Sequence, residues 1–261
     1  MKAGIVAVWL LFAAVCAPAA VAAAQPQSQS LTIAAASDLA YCMDDLNAEF
    51  RRQHPDADLK TTTGASGNFF AQIKAGAPFD VFLSADIAYP RELIKAGLAD
   101  EASLLRYATG HLALWTAREG VDLSAGLPAL ASPTIRRIAI ANPDTAPYGR
   151  AARAALRSAG MWNAVQDRLV FGENIAQTAQ FVQSGNADVG LVSLSLLKAP
   201  KMAGIGHHVA VPEALHPPLE QAGVITHLGR DNPLASAYLR FLASPAARAV
   251  FDRYGFVTPR P

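Results

Sequence analysis

Short apolar runs alternate with helix-patterned segments along nearly the whole chain, and Gly or Pro punctuates most of the exchanges. This constrains the fold more than any other feature. Continuous apolar or period-two runs favour strands, apolar residues at i, i+3, i+4 favour helices, and their alternation builds a sheet covered by crossover helices. Leu31–Ala36 opens the series as a strand. Ser37-Asp38 then starts a helix carrying Leu39, Met43, Leu46 and Phe50 at helical spacing, ended by His54-Pro55. Asp58–Thr63 reads as the next strand, Gly64–Gly67 as a turn, and Phe69, Phe70 and Ile73 as a helix stopping at Gly76. Further strands are expected at Val81–Leu83, His111–Thr116, Ile138–Ala141, Leu169–Phe171, Val189–Val192 and Gly223–Leu228. Helices are expected before Gly97, at Tyr148–Ser158 and Asn174–Gln183, and at Pro233–Leu242 and Pro245–Tyr254.

The reading is α/β, with largely parallel sheets and helices on both faces. So many short strands suit two lobes better than one sheet. No Gly/Pro/Ser-rich linker divides the chain, so it is expected to cross between lobes more than once. The expected division is residues 25–108 with 224–261 in lobe 1 and 109–223 in lobe 2, with a ligand in the cleft at the carboxyl ends of the strands.

Residues 1–24 are read separately. Lys2, an apolar run from Ile5 to Val15 and the small residues up to Ala24 have the form of a secretory signal peptide cleaved near Ala24. The apolar run is shorter than the ~20 residues a span needs, and Pro18 interrupts its end. Cys16 is a poor lipid-anchor site because Val15 precedes it. The full chain is 52% hydrophobic, which excludes disorder, and has a net charge of +1. Removing the leader leaves 21 basic and 21 acidic residues, with no general pull on nucleic acid or acidic membrane. Cys42 is then left without an intramolecular partner and is expected to be buried and reduced.

Chemistry is expected where strands run into helices. Ala36-Ser37-Asp38, Ala65-Ser66-Gly67, Ala146-Pro147-Tyr148-Gly149 and Glu173-Asn174-Ile175 each place free backbone N–H groups at a helix start. Pro147 suits the first turn, where its missing N–H costs nothing. One such junction is ordinarily a cap. Several meeting in a cleft would form an uncharged anion site.

These same stretches carry a resemblance. Ala34–Ser37, Gly64–Gly67 with Gln72–Pro78, Asp80–Asp86, Asn142-Pro143 with Ala146–Gly149, Glu173–Ile175, Gly190–Ser193 and Arg253–Phe256 follow one another as in the periplasmic molybdate-binding proteins of ABC transporters, which are type II solute-binding proteins. The resemblance runs from about Leu31 to Pro259. It implies a two-lobed periplasmic-binding-protein fold with the ligand between the lobes. It also implies capture of molybdate, and of the similarly sized tungstate, for delivery to the membrane permease of an ABC importer. A periplasmic monomer with no cofactor, no nucleic-acid partner and no enzymatic activity is the corresponding expectation. The implied ligand residues are Ser37, Ser66, Tyr148, Ile175 and Ser193, which would hold the metal as its oxyanion and not as a bare cation. Ser193 stands where some relatives have a tyrosine, so its shorter hydroxyl reaches less far.

Asp38 departs from what a dianion site wants. A carboxylate there would repel molybdate, which only accepts hydrogen bonds, and favour protonated phosphate. Asp38 is therefore expected to face away from the ligand and complement its own helix. A sulfate or phosphate receptor is the first alternative. A secreted α/β hydrolase is the second, and it lacks Gly-x-Ser-x-Gly, His-Glu-x-x-His and P-loop patterns. His207-His208 reads as a solvated loop, His227 as a core or hinge histidine, and Asp80 and Asp86 as residues fixing loop and helix starts. Trp115 and Trp162 read as core, and Arg136-Arg137 as an exposed pair.

Overall fold

The computed structural model describes residues 30–259. The leader expected over Met1–Ala24 lies outside them. In chain order the elements are β1 (Ser30–Ala36), α1 (Cys42–Arg51), β2 (Asp58–Gly64), α2 (Ser66–Lys74), β3 (Val81–Ser84), α3 (Ala88–Lys95), β4 (Leu105–Gly110) and β5 (Leu112–Thr116). There follow β6 (Ile138–Ala141), α4 (Pro147–Ser158), α5 (Trp162–Val165), β7 (Leu169–Gly172), α6 (Ile175–Gln183), β8 (Val189–Ser193) and α7 (Leu194–Leu197). The chain ends with β9 (His207–Ala210), β10 (Leu219–Ile225), α8 (Pro233–Leu242) and α9 (Pro245–Arg253).

The strands form two five-stranded sheets, β2-β1-β3-β10-β4 and β7-β6-β8-β5-β9. Neither is as parallel as expected. β1 pairs in parallel with β2 and β3, but β10 runs antiparallel to both β3 and β4. In the second sheet β6 is parallel to β7 and β8, while β5 is antiparallel to β8 and β9. The antiparallel strands are those next to the crossings, where the chain enters or leaves a lobe without a crossover helix.

Side-chain alternation in the first sheet shows why its inner strands β1, β3 and β10 are largely apolar. Ala34, Phe82 and Val224 lie in one cross-strand row and pack with Phe69 and Ile73 of α2 and Leu93 of α3. Their neighbours Ile33, Val81 and Ile225 point to the other face, into a core with Met43 and Phe50 of α1, Tyr238 of α8 and Phe251 of α9. A strand buried on both faces has no polar side to show. α4 ends as expected at Gly160, whose φ of +67° is open to glycine at no steric cost.

β4 is followed after one residue by β5, and the return runs from Ala210 to Leu219. Thr109, Gly110 and Leu219–Gly223 thus belong to the first sheet and not to the second, shifting the boundaries expected at 108/109 and 223/224. The two crossing segments touch: His111 Nδ1 lies 3.0 Å from Glu213 Oε1.

Several local expectations need correction. The last strand is Leu219–Ile225 and not Gly223–Leu228, so His227 falls in the following turn and is exposed. His207-His208 is part of edge strand β9, paired with Thr116 and Trp115, and both residues are exposed. Ser37–Leu39 is a separate 3-10 turn, and α1 starts only at Cys42. Trp115 is buried, donating from Nε1 to Ile205 O, whereas Trp162 is only partly covered, beneath Arg157. Asp80 accepts from Thr32 N and Oγ1, and Asp86 from Ala88 N, as start-fixing residues should. Cys42 is buried, and Arg136 and Arg137 are exposed.

Candidate binding site between the lobes

β1, β2, β6 and β7 each lead into a helical turn, directly or through at most five residues, and these turns meet. Ser37 begins the 3-10 turn after β1, Ser66 is the first residue of α2, Tyr148 the second of α4 and Ile175 the first of α6. All four line one small pocket. Two come from the first lobe and two from the second, so the pocket exists only with the lobes together.

Some of these turns keep a first amide without a partner among the described residues, as at Ser66, Tyr148 and Ile175. No side chain caps the Ser37 turn, α2 or α4. In α6 the Asn174 side chain accepts from Ala176 N and Gln177 N at 3.0 and 3.1 Å, which leaves the Ile175 amide free. Orphan amides at helix starts carry the positive end of the peptide dipoles. The serines are therefore not the caps such residues usually are. Ser66 Oγ accepts from Ala85 N at 3.0 Å, so its proton is free to donate. The Ser37 hydroxyl makes no hydrogen bond among the described residues. No lysine, arginine or histidine stands on the pocket wall.

Ser193 is not brought to the wall. Its Oγ accepts from Ser195 N at 3.2 Å and pairs with Ser195 Oγ, which donates to Asp38 O at 2.6 Å. A serine is too short to pass this layer. Its hydroxyl instead faces the phenol of Tyr148.

Asp38 is the main correction. It lies on the pocket wall and is 2% exposed. It caps no helix. Its Oδ2 accepts from Gln221 Nε2, and the Gln221 carbonyl in turn accepts from Tyr107 OH at 3.0 Å. Oδ1 is buried with no partner among the described residues. Burial pushes the carboxyl up to about 6, against the opposing hydrogen bonds from Gln221 and Tyr148. The titratable groups around it, Tyr148, Tyr107 and Cys42, are themselves held neutral by burial.

Two residues that sequence reasoning passed over complete the site. Gln221 is a buried polar residue inside a strand that is otherwise buried apart from Glu220, which was the available signal. Gly110 makes room for Tyr148: a Cβ there would stand 2.1 Å from the phenol oxygen.

Hydrogen bonds also join the lobes across the cleft. Gly67 N donates to Thr145 O at 2.9 Å, and Asn68 Nδ2 to Glu173 Oε1 at 3.4 Å. Arg150 of α4 reaches Asp86 and Tyr89 of the first lobe.

A two-lobed α/β chain with converging helix starts is a form built to enclose a solute. The family model described as bacterial extracellular solute-binding protein matches residues 31–257. This chain belongs to that family. Among its relatives, the molybdate-binding protein ModA of Azotobacter vinelandii is 38% identical over 231 residues, covering 88% of this chain and 90% of the relative. ModA of Rhodobacter capsulatus is 37% identical over 195 residues, 75% of each. The solved periplasmic molybdate-binding protein of Azotobacter vinelandii superposes with a TM-score of 0.83 at 32% identity, over 88% of this chain and all of the other. The two-lobed fold of this solute-binding protein is thus the one expected.

Proposed function

We propose that this protein captures molybdate, and tungstate with it, outside the cytoplasmic membrane and hands it to the permease of an ABC importer. One observation carries the reading: four helix-start positions whose own amides no side chain takes, Ser37, Ser66, Tyr148 and Ile175, converge from both lobes on one small pocket. Such a pocket offers only donors at those points, and a fully ionised tetrahedral oxyanion offers only acceptors. The relatives named as molybdate-binding proteins support the choice of anion. Ser37 and Ser66 donate through hydroxyl and amide, Tyr148 and Ile175 through the amide. Ser193 acts from behind, holding the Tyr148 phenol. Donation from both lobes to one ligand drives hinge closure, with no catalytic step and no cofactor. The exported form is a periplasmic monomer with residues 1–24 removed.

One observation favours a second reading. The unpartnered Oδ1 of Asp38 suits an oxyanion that carries a proton, as phosphate does near neutrality. Calorimetric titration with molybdate, tungstate, sulfate and phosphate decides between them. Tight binding of molybdate and tungstate, weakened in Ser37→Ala and Ser66→Ala, is the expected result. Tighter phosphate binding would overturn it in favour of the second reading.

A further inference from the structure

We propose that Arg150 is a latch, pairing with Asp86 and Tyr89 across the cleft only when the lobes are closed, and so sets how slowly the captured anion leaves. This rests on the receptor reading above. Arg150 lies in the first turn of α4, beside the Tyr148 amide. Its Nη2 donates to Asp86 Oδ2 and its Nη1 to Tyr89 OH at 2.8 Å, while its Cζ sits 5.1 Å from the Tyr89 ring centroid. One planar group thus meets a carboxylate, a hydroxyl and a ring face, which a lysine ammonium would not match.

The partners are fixed before Arg150 arrives. Asp86 Oδ1 is held by Ala88 N at 2.8 Å, and the Asp86 backbone is tied at both ends to Ser84 Oγ. The Tyr89 ring packs on Phe70 at 5.2 Å. Little ordering is left to be done when the lobes meet. The latch side chains are about one-third exposed, so the pair is only partly screened.

Its place points to release. Ala85 and Pro147 line the oxyanion pocket and also an outer cavity of about 210 Å3, whose walls include Arg150 and Asp86. An anion leaving through this side passes the latch. The closed pair adds no net charge near the anion, so removing it should act chiefly on the closed population and the off-rate.

The test is stopped-flow release of molybdate, chased with tungstate, from wild type, Arg150→Ala, Asp86→Asn, the double variant and Arg150→Lys. The expected result is an off-rate raised about tenfold in each of the first two. The double variant should be no faster than the singles, and Arg150→Lys should recover only part of the loss. Single variants within twofold of wild type, or a double variant equal to the product of the singles, would overturn the latch. Wild type that binds none of molybdate, tungstate, sulfate and phosphate would overturn the receptor reading instead. The latch is then judged by pulsed electron resonance between spin labels at Lys60→Cys and Asn163→Cys, both exposed and one per lobe, with native Cys42 buried. A longer or broader distance in Arg150→Ala supports it, and an unchanged distribution overturns it.

Discussion

Replacing Asp38 by Asn should stabilise the anion-free protein, and only at the higher pH values. Burial raises the Asp38 carboxyl from the ordinary 3.8 to about 6. The folded state therefore holds this proton more tightly than the unfolded chain. Below pH 3.8 both states are protonated and burial brings no ionisation penalty. Between pH 3.8 and about 6 the unfolded carboxyl ionises while the folded one keeps its proton, so the penalty grows, and above 6 it stands at its full size. Two pKa units at 1.36 kcal/mol each make that about 3 kcal/mol. The amide side chain removes the charge and keeps its carbonyl oxygen for Gln221 Nε2, with its NH2 in place of the unpartnered Oδ1. The assay is urea unfolding of both proteins at pH 4, 6 and 8 without anion. The advantage of Asp38→Asn should be small at pH 4 and reach about 3 kcal/mol at pH 8, or roughly 6–12 °C in melting temperature for a chain of this size. A difference that is flat with pH would refute the reasoning, because a packing effect does not titrate. The same substitution turns an acceptor on the pocket wall into a donor. It should therefore raise molybdate affinity at pH 8 by at least tenfold, measured by calorimetry.

Three further outcomes follow from the site geometry. Ser66→Ala removes a hydroxyl donor to a charged ligand, worth about 1.5–3 kcal/mol, so molybdate affinity should fall about 10- to 100-fold by calorimetry. Ile175→Pro deletes only the amide at a first-turn position where proline fits, and Asn174 before it already has the extended backbone proline requires (φ −146°, ψ 176°). It should cost about tenfold or more in affinity, while Ile175→Ala, which keeps the amide, should stay within about threefold on the same titration. Gly110→Ala forces the Tyr148 phenol aside and should destabilise the protein by about 1–3 kcal/mol in urea while also weakening binding.

The parts of the site legible in the sequence were those set by local chain geometry. Pro147 and Asn174 mark helix starts from neighbouring residues alone, so Tyr148 and Ile175 could be placed as amide donors without the fold. Ser37 and Ser66 were found the same way, although their hydroxyls turned out free of capping. The illegible parts depend on partners far along the chain. Whether Asp38 faces in or out is decided by Gln221, 183 residues on. The fate of Ser193 turns on Ser195 and the Asp38 carbonyl. Arg150 and Asp86, 64 residues apart, meet only through closure. β4 was passed over as a full strand because Leu105–Gly110 is mixed in polarity and becomes a strand through its long-range pairing with β10.

The position of β10 also sets an order of assembly. β4 pairs in its sheet with β10 alone, and β10 is the bridge between β4 and β3. The second sheet draws only on residues 112–210, a continuous stretch. In a chain that emerges from its N-terminus, the second lobe has every strand it needs by residue 210, while the first waits with a gap in its middle until Ile225 is out. Half of the anion pocket, with Ser37 and Ser66, thus belongs to the lobe that is completed last.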